Sequence, residues 1–339
     1  MASDIGQGSQ ADPLWVPLLT HYREGNGPLA VDAERMAVQL RAMRPAVRQF
    51  LLAGSTGDGW EITLDQFLDI IRLSRREDAF GGSRLLFGAL RPGTDEVIEW
   101  ARVLERKLAE EMPAGEYMGI AVCPPVMPGA SQEAILAHYR AVLAATESPI
   151  AVYQLPQVTQ CEIGPETMRS LAAEPRVTMF KDTSGGDAVA QSGLVSGVVM
   201  VRGAEGGYVE ALRPTGPYDG WLLSTGNAFG PLLRRMLTLH AEGQNIRANE
   251  LSALMTVMVN ALFREAGALP FGNPFSNANR AADHLLAMGR GWRSKPLPLT
   301  ASGNRLPPGF LAAVEDVIGH LPAISGHGYA GETPPPFGL

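Results

Sequence analysis

Cysteine is nearly absent: Cys123 and Cys161 are the only two in 339 residues. Two thiols without the paired spacing of a zinc site make neither a disulfide framework nor a metal centre, so a reducing, cytoplasmic setting is expected. The six histidines show no metal-ligand spacing either. Positive charge is in deficit. The net charge is −7 and the basic residues are scattered, which argues against nucleic acid or an anionic membrane surface as a partner. No apolar run reaches the roughly 18 residues of a spanning helix. The opening MASDIGQGSQADP lacks the basic region followed by an apolar stretch that marks a signal peptide. A soluble protein with small-molecule partners remains.

What is present is a rhythm. With 45% apolar residues the chain can bury a full core. Short apolar runs alternate with longer amphipathic ones: LWVPLLT then VDAERMAVQLRAM, QFLLAG then TLDQFLDIIRLSRRE, RLLFGAL then TDEVIEWARVLERKLAEEM. YMGIAVC, SPIAVYQ, VTMFKD, VVMVRG and DGWLLS continue it, making eight strand candidates between Leu14 and Ser224, each followed by a stretch able to form a helix. The expected fold is an α/β (β/α)8 TIM barrel. An open doubly wound sheet would carry a Gly-rich dinucleotide turn after its first strand, which LLTHYREGNG does not supply. Three more helices, near 245–266, 276–289 and 309–321, predict a small C-terminal appendage. The expected organisation is a disordered N-terminus over 1–12, the barrel over 13–244, a helical region over 245–325 and a flexible Pro/Gly-rich tail over 326–339.

In such a barrel the chemistry gathers at the carboxyl ends of the strands. Only three of the 28 basic residues are lysine, and of these Lys181 alone ends an apolar strand, in VTMFKDTSGG. Lysine, unlike arginine, can lose its proton when desolvated and attack a carbonyl, so Lys181 is a candidate iminium-forming nucleophile. The bland reading is a rim lysine paired with Asp182. Tyr153 closes the preceding strand in PIAVYQLP and could relay protons, or simply pack as a rim aromatic. Gly54, Ser55, Thr56, Gly57, Asp58 and Gly59 follow QFLLA; such a turn presents backbone N–H groups beside hydroxyls and suits a carboxylate or phosphate, though it serves as often as an ordinary turn.

Taken together, GSTGDG, VYQLP and KDTSGG resemble the dihydrodipicolinate synthase and N-acetylneuraminate lyase family of class I aldolases. PLLT and NPFSNANRAADHLLAMG extend the resemblance over residues 13 to 290. It implies that Lys181 forms a Schiff base with a 2-oxo acid, pyruvate first among them, and that Tyr153 passes protons. It also implies that Ser55 and Thr56, flanked by Gly54 and Gly57, hold the substrate carboxylate, and that Gly203 lies beside the ligand. The partners are then a 2-oxo acid and an aldehyde. No metal or organic cofactor is expected, and a homo-oligomer, dimer or tetramer, is.

The pattern departs from the synthase branch in three places. Pro125 and Val126 stand where a strand-four tyrosine completes an intersubunit relay, and Val158 replaces an arginine that holds the second substrate. Asp58 replaces a glutamate and is followed two residues on by Trp60. A true dihydrodipicolinate synthase is therefore not expected, and Trp60, Pro125, Val126, Met127 and Val158 suggest a bulky or uncharged aldehyde. Two other activities share these residues: a Schiff-base dehydratase of a keto-deoxy sugar acid, and a silent barrel that binds a 2-oxo acid. Cys123 has no visible base and reads as a buried apolar residue.

Overall fold

The computed structural model describes residues 12–25, 29–319 and 326–331. Eight parallel strands close a barrel in sequence order: β1 (Leu14–Pro17), β2 (Gln49–Leu52), β3 (Arg84–Gly88), β4 (Glu116–Val122), β5 (Ile150–Gln154), β6 (Val177–Asp182), β7 (Val199–Arg202) and β8 (Gly220–Leu222), which pairs back to β1. Around them lie α1 (Ala33–Met43), α2 (Leu64–Leu73), α3 (Thr94–Glu110), α4 (Gln132–Ala145), α5 (Pro165–Ala172), the single turn α6 (Ala188–Gln191) and α7 (Gly226–Ala241). The appendage consists of α8 (Asn245–Gly267), α9 (Pro274–Met288) and α10 (Pro308–Ile318). No described helix is long and apolar enough to cross a membrane.

Local chemistry starts several of these helices. The Asp32 carboxylate accepts from the Arg35 N–H at the start of α1, and Thr63 with Gln66 forms a reciprocal capping box on α2. Asn273 caps α9 with Pro274 in the first turn.

Strand alternation then sorts the apolar side chains. Trp15, Leu51, Leu86, Ala121, Ala151, Met179, Val201 and Leu222, one from each strand, belong to a single cluster that fills the lumen. Their chain neighbours, among them Val16, Phe50, Phe87, Val122, Val152 and Phe180, join the larger core beneath the helices. Strands buried on both faces need apolar residues on both, which is why they read as runs rather than alternations.

The expected βα rhythm fails once. Residues 203–219, after β7, form turns and no helix. The reason is compositional: Gly203, Gly206, Gly207, Pro214, Gly216 and Pro217 fall within GAEGGYVEALRPTGPYD, and glycine and proline are the poorest helix formers. The disorder expected over 1–12 falls outside the described residues except for Asp12, whose carboxylate receives Arg234. The flexible tail expected over 326–339 lies outside them from residue 332. Residues 326–331 instead form turns in which the Tyr329 N–H donates to the Leu286 carbonyl and its hydroxyl to Asp283. An aromatic body with a polar tip has found both an apolar bed and a buried acceptor.

Candidate active site

The same alternation aims the candidate site residues. Two positions beyond the lumen layer, Ala121, Ala151, Met179 and Val201 lead to Cys123, Tyr153, Lys181 and Gly203 at the carboxyl-terminal mouth. β5 and β6 are in register at Tyr153 and Lys181. The Lys181 Nζ lies 3.7 Å from the centroid of the Tyr153 ring, and the two residues are 4% and 3% exposed.

Burial dominates the electrostatics here. Desolvation lowers the Lys181 ammonium to about 7, against smaller upward pulls from Cys123 and Glu205. A substantial fraction of the amine is thus free base near neutrality, as a carbonyl nucleophile requires. Desolvation likewise pushes the Tyr153 phenol up, partly offset by the hydroxyl of Thr183. The pairing of Lys181 with Asp182 does not form: Asp182 points to the other face, where its carboxylate receives Gln154, Ser184 and Tyr218.

Gly203 is required by packing. A Cβ there would lie 2.8 Å from the Lys181 Cε and 2.5 Å from the Thr183 hydroxyl. Thr183 escaped the sequence reading. Its buried Oγ1 lies close to Gly203 and to the Tyr153 hydroxyl, whose rise in pKa it tempers. The available signal was parity, since Thr183 follows Lys181 by two residues. Glu205 was missed as well. It accepts from the Ser224 hydroxyl, the Thr225 N–H and hydroxyl and the Tyr208 hydroxyl at 2.7–3.1 Å.

The turn after β2 is shaped by close approaches. At Gly57 a Cβ would stand 2.5 Å from the Leu18 carbonyl, and at Gly54 2.8 Å from the Leu51 side chain. Ser55 and Thr56 are buried, and Asn273 donates to the Ser55 hydroxyl at 3.3 Å. No described hydrogen bond joins this turn to Lys181 or Tyr153; they share the mouth of the barrel. Asp58 turns away from that mouth, accepting from Tyr22 at 2.9 Å and from the buried Arg280.

Of the apolar positions, Trp60 and Val158 pack against the lumen cluster. Pro125 is buried in the loop after β4, where the Val126 N–H donates to the Pro92 carbonyl, and Met127 is 48% exposed. Burial raises the Cys123 thiol, and His138 reaches its carbonyl rather than its sulfur. No described group of three or more His, Cys, Asp and Glu side chains converges as a metal site. A cavity of about 1180 Å³ opens at the amino ends of the strands, lined by Trp15, Gln49, Arg84 and Arg234 among others. Its arginines, Arg84, Arg213 and Arg234, are tied to Glu116, Asp219 and Asp12.

A sequence profile of the dihydrodipicolinate synthetase family matches residues 30–273. The chain belongs to that family. A 4-hydroxy-tetrahydrodipicolinate synthase of Corynebacterium diphtheriae is 28% identical over 255 residues, 74% of this chain and 80% of that one. One from Stenotrophomonas maltophilia is 28% identical over 298 residues, 80% of this chain and 94% of its own. Among solved structures, the CdNal of Clostridium difficile in complex with mannosamine superposes with a TM-score of 0.73 at 13% identity, over 91% of this chain and 98% of that one. The DHDPS of Cyanidioschyzon merolae with lysine bound gives 0.71 at 21% identity, over 91% and 97%. These two show the shared fold. As a member of the dihydrodipicolinate synthetase family, the protein is an enzyme of the class I aldolase and lyase kind.

Proposed function

We propose that Lys181 forms a Schiff base with a 2-oxo acid, pyruvate as the leading candidate, and that the enzyme makes or breaks a carbon–carbon bond to an aldehyde. The observation that carries this is the buried Lys181 amine, brought to about 7 and held against the ring of Tyr153. The free amine adds to the ketone carbonyl, and the Tyr153 phenol gives its proton to the departing hydroxyl, so that one water leaves and a cationic iminium remains beside a Tyr153 phenolate. In the cleavage direction that phenolate takes the proton of the substrate's C4 hydroxyl. The C3–C4 bond then breaks, its electron pair passes into the iminium to give an enamine, and an aldehyde departs. Tyr153 returns the proton to C3, and hydrolysis frees the 2-oxo acid and the lysine.

Ser55 and Thr56, with the N–H groups of the turn from Gly54 to Gly57, are the proposed carboxylate cradle. Thr183 supplies a hydroxyl beside the reacting carbons. Trp60 and Val158 favour an uncharged or bulky aldehyde, since a second carboxylate would enter a largely apolar wall in which the Trp60 indole N–H is a described unpaired donor. Tight binding confined to small charged aldehydes would count against that preference.

Borohydride reduction in the presence of pyruvate, read by intact-protein mass spectrometry, tests the nucleophile. One carboxyethyl group should be added to the wild type and none to Lys181→Ala. No adduct at saturating pyruvate would remove pyruvate as the substrate. Release of pyruvate and an aldehyde from a candidate sugar acid supports the aldolase reading, whereas loss of water with the carbon chain intact replaces it with a dehydratase.

A further inference from the structure

α9 begins against the turn that carries Ser55. The Ser55 carbonyl accepts from the Asp58 N–H at 3.1 Å within the turn and from the Ser276 hydroxyl at 3.4 Å on α9. Ser55 is 6% exposed, and Asn273, the N-cap of α9, donates its Nδ2 to the Ser55 Oγ at 3.3 Å. Two segments 218 residues apart thus meet at one buried hydroxyl.

The helix fixes the direction of that bond. A side-chain amide can be turned end for end, but only its oxygen can serve a backbone N–H. The Asn273 Oδ1 accepts from the Phe275 N–H at 2.9 Å, in the first turn of α9. The other end is therefore the NH2 group, and the Ser55 oxygen facing it must accept. The Asn273 backbone is held as well: its carbonyl accepts from the Asn277 N–H, and the Asn277 side chain donates to the Phe271 carbonyl, both at 2.9 Å. A hydroxyl that accepts at one lone pair keeps its single proton for another partner. No described acceptor takes the Ser55 proton.

We propose, on the reading of this turn as the carboxylate cradle, that Asn273 is a positioning residue: by donating to the Ser55 oxygen it turns the Ser55 O–H toward the substrate carboxylate. A buried O–H without an acceptor is costly, and a carboxylate oxygen is the acceptor that removes the cost. Without the amide the hydroxyl would turn to nearby backbone carbonyls, and binding would first have to draw it away. The start of α9 adds a second effect, because the amino end of a helix carries partial positive charge and favours an anion beside it. An ester or amide of the oxo acid lacks that charge, so the arrangement selects the free acid.

The test uses the full chain, with borohydride trapping over a range of pyruvate concentrations and the melting temperature read alongside. Asn273→Ser and Asn273→Asp both keep an oxygen for the helix cap, but neither offers an N–H to Ser55, so both should melt as the wild type does. The pyruvate concentration that gives half of the adduct should rise about fivefold in Asn273→Ser. In Asn273→Asp, whose carboxylate captures the Ser55 proton and repels the substrate's charge, it should rise about a hundredfold. Asn273→Ala loses the cap too, and should melt lower yet match Asn273→Ser in pyruvate dependence. With Ser55→Ala as the background, Asn273→Ser should change nothing further. Half-saturation that follows the melting temperature instead would reduce Asn273 to a helix cap and overturn the proposal, as would an effect that persists undiminished without the Ser55 hydroxyl. A wild type that forms no adduct removes the pyruvate Schiff base, and the role of Asn273 with it. An adduct whose pyruvate dependence ignores Asn273 leaves the Schiff base standing and overturns that role alone.

Discussion

Arg280 and Lys181 are both buried cations, yet only Arg280 sits on a carboxylate. Around α9, Arg280 pairs with Asp58 and Arg35 with Asp283, while Tyr22 and Tyr329 donate to the same two carboxylates. At the end of β6, Lys181 meets the face of an aromatic ring and forms no described ion pair. One region cancels its buried charge and thereby fixes the N-terminal loops to the C-terminal helices. The other leaves its buried polarity uncancelled, which costs stability and preserves reactivity. The two regions should therefore answer substitution in opposite ways.

The largest effect is expected at Lys181. Lys181→Ala should lower turnover by about 10⁴-fold or more, since no other amine is placed to form the iminium. Its melting temperature should not fall. A severe loss of stability would dissolve the contrast by making Lys181 a structural cation. Tyr153→Phe comes next, at roughly 10² to 10⁴ in kcat, the usual worth of a positioned acid or base. Because the phenyl ring keeps its place against the amine, the borohydride adduct should still form. Loss of the adduct along with turnover would assign Tyr153 to holding Lys181 rather than to moving protons.

Arg280→Met probes the paired region. It leaves Asp58 buried beside Tyr22 without its cation, and breaking a buried pair costs about 3 to 5 kcal/mol. Desolvation already raises the Asp58 carboxyl and Arg280 holds it down, so the variant should also take up a proton nearer neutrality. Urea unfolding at pH 7 reads the loss. A change below about 1 kcal/mol would mean that the pair merely offsets its own desolvation.

The contrast explains what could be read from the sequence. Strands were legible because two-sided burial forces apolar runs, and the three C-terminal helices because their amphipathic periods are long. The seventh unit was misjudged because eightfold regularity was extended over a segment whose glycines and prolines forbid a helix. At the site, Lys181 and Tyr153 were marked by strand ends that the chain itself displays, and Gly203 by the family resemblance. Thr183 and Glu205 were not, because their significance lies in what they face across the barrel mouth. Asp58 was noted as a shortened acid, but its partners Tyr22 and Arg280 stand 36 and 222 residues away, beyond any local pattern.

The smallest effect isolates the burial of the amine from catalysis altogether. Lys181 drops from 10.5 to about 7 in the folded chain through desolvation. Between those values the unfolded chain holds a proton that the folded chain has released, so stability rises with pH across that window. Below about 7 both states are protonated, and the folded state bears the full cost of a buried ammonium. Lys181→Met removes that cost while filling the same space. Denaturant titrations should find Lys181→Met more stable than the wild type at pH 7, with the gap closing as pH approaches 10. At ~1.4 kcal/mol per pKa unit the full depression sets the ceiling, and relaxation with water entry should leave about 2 kcal/mol. A gap independent of pH would mean that Lys181 titrates as a solvated amine in the folded protein. The chemical argument for its nucleophilicity would then have to rest on the substrate displacing water rather than on the barrel excluding it.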